Sequence, residues 1–367
     1  MRIVYFTHSL RSCWNHGNAH FVRGVLGQLE ARGHATLALE PAENWSSENL
    51  LRDHGAAGFV PFDRHYPELN SATYRPDDDL DALVGDADVV VVHEWNPPAL
   101  VAALGRMRRR GARFRLLFHD THHRAVSDPA AIRAFDLSGY DLVLAFGEAL
   151  AEVYRGWGWG KRAVVWHEAA DTRRFRPPVE PGDRAGLVWI GNWGDGERAA
   201  EIETFLLAPA RAAGLPLDIF GVRYPAEAQA MAARYGARYH GWVANPDAPA
   251  LFARHLATVH VPRRHYAATL PGIPTIRMFE ALACGIPLVS APWRDSEGLF
   301  TAGDDYLAVA DGPAMTRALI AVKNDLGLRA HLATHGLATI LARHTCGHRT
   351  DELLGHVAAL QPHEVPA

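Results

Sequence analysis

PGIPTIRMFEALACGIPLVSAPW, residues 271–293, decides how the rest of the chain reads. Pro271, Gly272 and Pro274 interrupt whatever precedes them. Residues 275–283 then carry Ile276, Phe279, Leu282 and Ala283 at helical spacing, which predicts a helix starting near Thr275. Gly285 stops it. Residues 286–291 are short, apolar and β-branched, as a strand buried in a parallel sheet should be. Glu280 is left as a carboxylate inside an otherwise apolar helix, where it needs hydrogen-bonding partners. A helix opening from a Gly/Pro loop presents unpaired N–H groups that suit a phosphate. The stretch therefore reads as a nucleotide pocket, with Thr275, Ile276 and Arg277 at the phosphates and Glu280 on the ribose hydroxyls. The other reading of Glu280 is a core residue in a salt bridge with Arg277.

Outward from this stretch, the second half alternates strands and helices. Strands are predicted over 187–190, 217–220, 238–240 and 258–261, and helices over 199–213 and 227–235. Further helices over 313–326, 328–342 and 345–360 finish the chain. GNWGDGE, residues 191–197, is a glycine-rich turn from strand to helix, so a phosphate or a ring can pack on the backbone of Gly191 and Asn192. Its glycines miss the G-x-G-x-x-G spacing, Glu197 is a poor neighbour for a pyrophosphate, and no G-x-x-x-x-G-K-[ST] occurs anywhere. Arg263 and Arg264, directly after the strand at 258–261, are better phosphate candidates, because a guanidinium fork matches phosphate geometry. Trp242 and Val243 are available to pack on a base or in a core.

The first half opens with a strand over 2–7, a helix over 21–31 and a strand over 35–39, one βαβ unit of a parallel sheet. Further strands are expected at 58–62, 88–93, 114–118, 142–146 and 163–166. The loop HSLRSCWNHGNAH, residues 8–20, falls at the carboxyl edge where such sheets bind ligands, and supplies His8, His16, Gly17, Asn18 and His20. His93, Glu94 and Trp95 emerge after one strand, and His119, Asp120, His122 and His123 after the next. Three histidines and an aspartate within five residues raise zinc as a reading, but no H-E-x-x-H or paired C-x-x-C accompanies them. Six arginines between 106 and 115 read as cations at a helix end, or as contact with an anionic membrane surface.

A chain of 367 residues with 48% hydrophobic content suits two α/β domains. Its formal charge of −4 gives no general attraction for nucleic acid. Cys13, Cys284 and Cys346 are few and scattered, which fits a reducing compartment. The first strand begins at once, without a charged and apolar leader, and no apolar run approaches the ~20 residues of a membrane span. A cytoplasmic protein is expected. Prolines and glycines near 170–185 mark a domain boundary.

The residues FEALACGIPLVS resemble the donor-binding helix and strand of GT-B glycosyltransferases of the retaining group-one (family four) type. The longer GIPTIRMFEALACGIPLVSAPW is similar to the CgeB-like (spore-maturation protein) branch. GNAHFVRGVLGQLEARGHATLALEP resembles the first loop and helix of such enzymes, and Asp171, Phe175, Arg176 and Pro177 resemble their hinge. The resemblance implies an α/β fold of two Rossmann-like domains facing a central cleft, with the last helix crossing back to the first domain. It places an acceptor domain at 1–170, a hinge at 171–185, a nucleotide-sugar donor domain at 186–343 and the crossing helix at 344–367.

The implied activity is retaining, metal-independent transfer from a nucleoside-diphosphate sugar, a co-substrate rather than a cofactor, to a small-molecule, glycan, lipid-linked or protein acceptor. His119 would stand beside the donor sugar, with Asp120 and Glu94 as acceptor candidates and His16, Gly17, Asn18, His20 and His93 on the acceptor side. Donor contacts would come from Glu280, Arg277, Thr275, Ile276, Gly272, Arg263, Arg264, Gly191, Asn192 and Trp242. Two departures stand out. Gly272 occupies a position where the family has a glutamate near the transferred sugar, and the arginine and lysine that follow the glycine turn in the family are read as absent. A nucleotide-sugar epimerase on the same fold, or a catalytically silent nucleotide-sugar-binding protein, are the rivals.

Overall fold

The computed structural model describes residues 1–360 other than His16, Pro181 and Asp195. The chain divides into two compact units, Met1–Glu168 together with the chain from Cys346 onward, and Ala169–Thr345.

The sheet of the first unit contains β1 (Arg2–Phe6), β2 (Ala35–Pro41), β3 (Ser71–Tyr74), β4 (Val89–His93), β5 (Arg115–Asp120), β6 (Leu142–Ala145) and β7 (Ala163–Val165). Among the described residues the order is β3-β2-β1-β4-β5-β6-β7, and every pairing is parallel. Val89, Val90, Val91 and Val92 are buried on both faces, which is why this strand carries no alternation of polar and apolar residues. The Ala19–Ala31 helix buries Phe21, Val22, Val25, Leu26 and Leu29. Gly33, with φ +78°, turns the chain into β2. The Cys346–Ala359 helix belongs to this unit: Arg32 pairs with Asp351 at 3.0 Å, and the indole N–H of Trp166 donates to the Arg349 carbonyl at 2.8 Å.

The second unit holds β8 (Leu187–Ile190), β9 (Leu217–Phe220), β10 (Arg238–Tyr239), β11 (Ala257–His260), β12 (Leu288–Ser290) and β13 (Leu307–Ala308). Their order is β10-β9-β8-β11-β12-β13, again parallel throughout. Its core gathers Trp189, Ile202, Leu206, Ile219, Val259, Met315 and Leu319. The stretch read first forms the Ile276–Ala283 helix and β12. Asp171 and Phe175 are fully buried, and the Phe175 N–H donates to the Asp171 carbonyl at 2.8 Å.

One expected strand is wrong. Residues 58–62 are helical, in the Gly55–Phe59 3₁₀ turn and the Val60–His65 helix. Pro61 explains it, since proline has no N–H for a sheet ladder but fits the first turn of a helix. The strand of that region is β3, whose exposed Ala72 and Thr73 give no apolar run to read.

Candidate functional site

Strand order reverses between β1 and β4 in the first sheet and between β8 and β11 in the second. At such switch points the loops after neighbouring strands part, and the carboxyl ends become ligand sites.

In the first unit the register pairs His93 with His119. His119 is fully buried, ringed by Phe21, Trp166 and His93, and its Nδ1 is hydrogen-bonded to the Tyr5 hydroxyl. Burial raises the Tyr5 hydroxyl well above its ordinary pKa and lowers His119 to about 3. Both groups therefore stay neutral, and the imidazole carries a single hydrogen. The Nε2 atom meets no hydrogen-bond partner among the described residues.

Asp120 accepts from the Tyr154 hydroxyl at 2.7 Å and from the His122 N–H at 3.0 Å. Glu94 is paired with Arg124, whose guanidinium lies 4.0 Å from the Trp95 ring. Both acids are fully buried. Burial raises Glu94 well above the usual carboxylate range, and the charge of Asp120 raises it further. Burial also raises Asp120 to about 6, against the lowering effect of Tyr154, His122 and Arg124. One guanidinium faces two dry carboxylates, and burial pushes both toward the protonated form.

The other acceptor-side candidates have partners of their own. His93 Nε2 bonds Thr121 Oγ1 at 3.0 Å, and His8 is held to about 4 by burial and Arg124. Asn18 donates to Glu168 at 3.1 Å from the start of the Ala19–Ala31 helix. The Gly17 carbonyl accepts the His20 N–H at 3.3 Å, and the His20 side chain is fully buried. His16 lies outside the described residues. His123 Nδ1 bonds Ser127 at 2.8 Å, so His119, Asp120 and His123 are directed to separate protein partners.

In the second unit Glu280 is fully buried, accepting from Asn245 Nδ2 at 2.5 Å and from Arg277. The salt bridge is thus real, and it sits at the first turn of the helix read as a phosphate site. Thr275 is the extended N-cap of that helix and makes no side-chain cap hydrogen bond, and Ile276 is buried behind it. Gly191 donates its N–H to the Phe220 carbonyl at 2.9 Å, and Asn192 Oδ1 accepts the Val222 N–H at 2.9 Å. Trp242 is partly buried in the loop leading to Asn245. Arg263 pairs with Glu197 and Arg264 with Glu201, the latter at 2.9 Å.

Two features correct or extend the sequence reading. An arginine does follow the glycine turn: Arg198 donates to the Asn192 carbonyl at 2.7 Å and the Val261 carbonyl at 2.8 Å, spanning the ends of β8 and β11. It was overlooked because the reading stopped at Glu197, the residue before it. At Gly272 the backbone has φ +88°, and a Cβ there would lie 2.7 Å from Ser296 Oγ and from Glu297 Oε1. Glycine is therefore required by the loop, and the Glu297 carboxylate fills the space beside it. Asn245 and Tyr5 were also missed, since neither an NPD turn nor a strand tyrosine marks a partner so distant in sequence.

Residues 198–355 match the family described as glycosyl transferase-like. No curated protein sequence matches the chain. Among solved structures, HepE of Anabaena in complex with UDP and glucose is similar at 15% identity with a TM-score of 0.70, over 98% of this chain and 100% of that one. The BGT of phage T4 with its UDP-glucose substrate is similar at 11% identity and a TM-score of 0.61, over 98% and 100%. Sucrose-phosphate synthase of Thermosynechococcus elongatus follows at 13% identity and 0.64, over 98% of each chain. These likenesses establish the α/β fold of two parallel sheets as that of GT-B glycosyltransferases, and residues 198–355 are similar to the glycosyl transferase-like family. Among the described residues no helix is long and apolar enough to cross a membrane.

Proposed function

We propose that the protein transfers a sugar from a uridine-diphosphate sugar to a hydroxyl-bearing acceptor, and that residues of the second unit bind the donor. The observation that carries the reading is the placement of Arg198, Arg263 and the Glu280–Arg277–Asn245 group within the segment that matches glycosyltransferases. The leaving diphosphate would be met by Arg198, Arg263 and the N–H groups of the Ile276–Ala283 helix, which stabilise the charge that develops as the glycosidic C–O bond breaks. Glu280, held by Asn245, would orient the ribose, and Glu297 would bring a carboxylate to the place the family gives to the residue at 272. UDP is favoured because it is the nucleotide described for HepE and for the phage enzyme. Retention of configuration, metal independence and membership of the spore-maturation branch follow the sequence resemblance.

In the first unit the unpartnered Nε2 of His119 would serve a sugar hydroxyl, and the Glu94–Asp120 pair is the acid/base group nearest in kind to what proton transfer needs. The same pair favours a second reading, a nucleotide-sugar epimerase, which requires acid/base carboxylates and consumes the donor without an acceptor.

The test is thermal unfolding of the full chain with UDP, GDP, ADP, CDP or dTDP, with and without magnesium or manganese, since the phage enzyme is also described with UDP and Mn²⁺. A ligand at 100 times its dissociation constant adds about 2.7 kcal/mol to stability. UDP should stabilise the protein without metal, and Glu280→Ala should abolish that stabilisation. No shift with any diphosphate would end the nucleotide reading. Conversion of a UDP-sugar to its epimer with no acceptor present would select the second reading.

A further inference from the structure

At the switch point of the second sheet one carboxylate, Glu197, is paired with Arg263, and Arg198 follows it in sequence. Arg198 is fixed by the carbonyls of Asn192 and Val261, so the ends of the two parting strands set its position. Arg263 binds Glu197 through Nε, and the second oxygen of Glu197 lies 3.8 Å from His265 Nε2. Arg198 feels both charges, Arg263 opposing its own and Glu197 favouring it. The Glu197 side chain is 19% exposed and that of Arg263 30%, so the pair is only partly screened by water. Arg264 and Glu201 repeat the arrangement further out, at 60% and 31% exposure, where an ion pair contributes little.

We propose that Glu197 is a built-in competitor for the anion site. Its carboxylate occupies Arg263 until an anionic ligand displaces it, so Glu197 weakens the binding of any anion there. The natural ligand in this inference rests on the nucleotide reading, whereas the anion site itself does not. Every phosphoryl ligand must break the same Arg263–Glu197 pair, so Glu197 lowers the affinity for a monophosphate and for a diphosphate alike.

The experiment is titration calorimetry on the full chain at low ionic strength with inorganic pyrophosphate, inorganic phosphate, UDP and UMP. Wild type is compared with Glu197→Gln, which keeps the shape and removes the charge, and with Glu197→Ala. Unfolding curves on each variant establish that it is folded. Glu197→Gln should bind pyrophosphate and UDP roughly tenfold tighter. Phosphate and UMP should gain by a similar factor, because they displace the same carboxylate. Pyrophosphate binding that is unchanged or weaker in Glu197→Gln overturns the proposal, because Glu197 then serves to hold Arg263 in place. Absence of pyrophosphate binding in both proteins overturns it as well. If Glu197→Gln gains pyrophosphate affinity while UDP binds to neither protein, the competitor stands and the nucleotide reading falls. If UDP binds both proteins equally, the nucleotide reading stands and the competitor falls.

Discussion

The two sheets share one topology and handle charge at their switch points in opposite ways. In the first, the groups at the ends of β4 and β5 are fully buried and are driven toward neutrality, His119 down to about 3 and Asp120 up to about 6. In the second, carboxylates or carbonyls stand against each arginine at the ends of β8 and β11, and burial lowers Arg198 only to about 10. Desolvation dominates the first site, whereas the second sets each cation against a partner. The difference suits a division of labour in which one sheet offers groups pushed toward neutrality while the other offers cations held by the fold. Topology alone thus chooses where a site lies, and burial chooses its chemistry.

The comparison is broken most directly by pH. A folded-state pKa of about 3 for His119, against 6.5 unfolded, contributes stability that is present above pH 6.5 and is lost as pH falls toward 3. A folded-state pKa of about 6 for Asp120, against 3.8 unfolded, contributes stability that is present below pH 3.8 and is lost as pH rises through 6. Between pH 4 and 6.5 the two slopes oppose each other. His119→Phe should remove the first, so that the change of stability on acidification across this range becomes about 3 kcal/mol more favourable than in the wild type. Asp120→Asn should remove the second and steepen acid destabilisation by a similar or slightly smaller amount. Urea unfolding at half-unit steps of pH reads both, and identical slopes in the two variants would show that neither group is dry in solution.

A smaller effect is expected at Gly272. Gly272→Ala places a side chain at φ +88° against Ser296 and Glu297. A loss of about 1–2 kcal/mol is expected. If the nucleotide-induced shift in Tm survives this change unaltered, the loop lies apart from the ligand. The smallest effect belongs to the exposed pair. Glu201→Gln should change stability by less than about 0.5 kcal/mol, because water already screens Arg264. A large loss there would mean that the second sheet protects its charges by burial after all, and would erase the contrast.

Much of this was legible in the chain. The Ile276–Ala283 helix, β12 and the alternation 187–240 follow from periodicity and glycine stops, since local spacing is what those elements depend on. The gathering of His93 with His119 follows from a parallel sheet in which both end a strand. What spacing does not carry is pairing across the fold. Asn245 reaches Glu280, and Tyr5 bonds His119 Nδ1 across 114 positions of sequence. Arg198 stood next to a residue dismissed as unsuited to phosphate, and only the fold shows that Glu197 turns to Arg263 and leaves Arg198 spanning two strand ends. Residues 58–62 were misread because an apolar run outvoted Pro61.

The loop at Gly272 has a consequence for descent. Its left-handed backbone strains any side chain at 272, and the end of Glu297 would have to move aside to admit one. A lineage that acquired glutamate at 272 would therefore have to relax the backbone of this loop, and until it did so glycine should travel with the downstream acid.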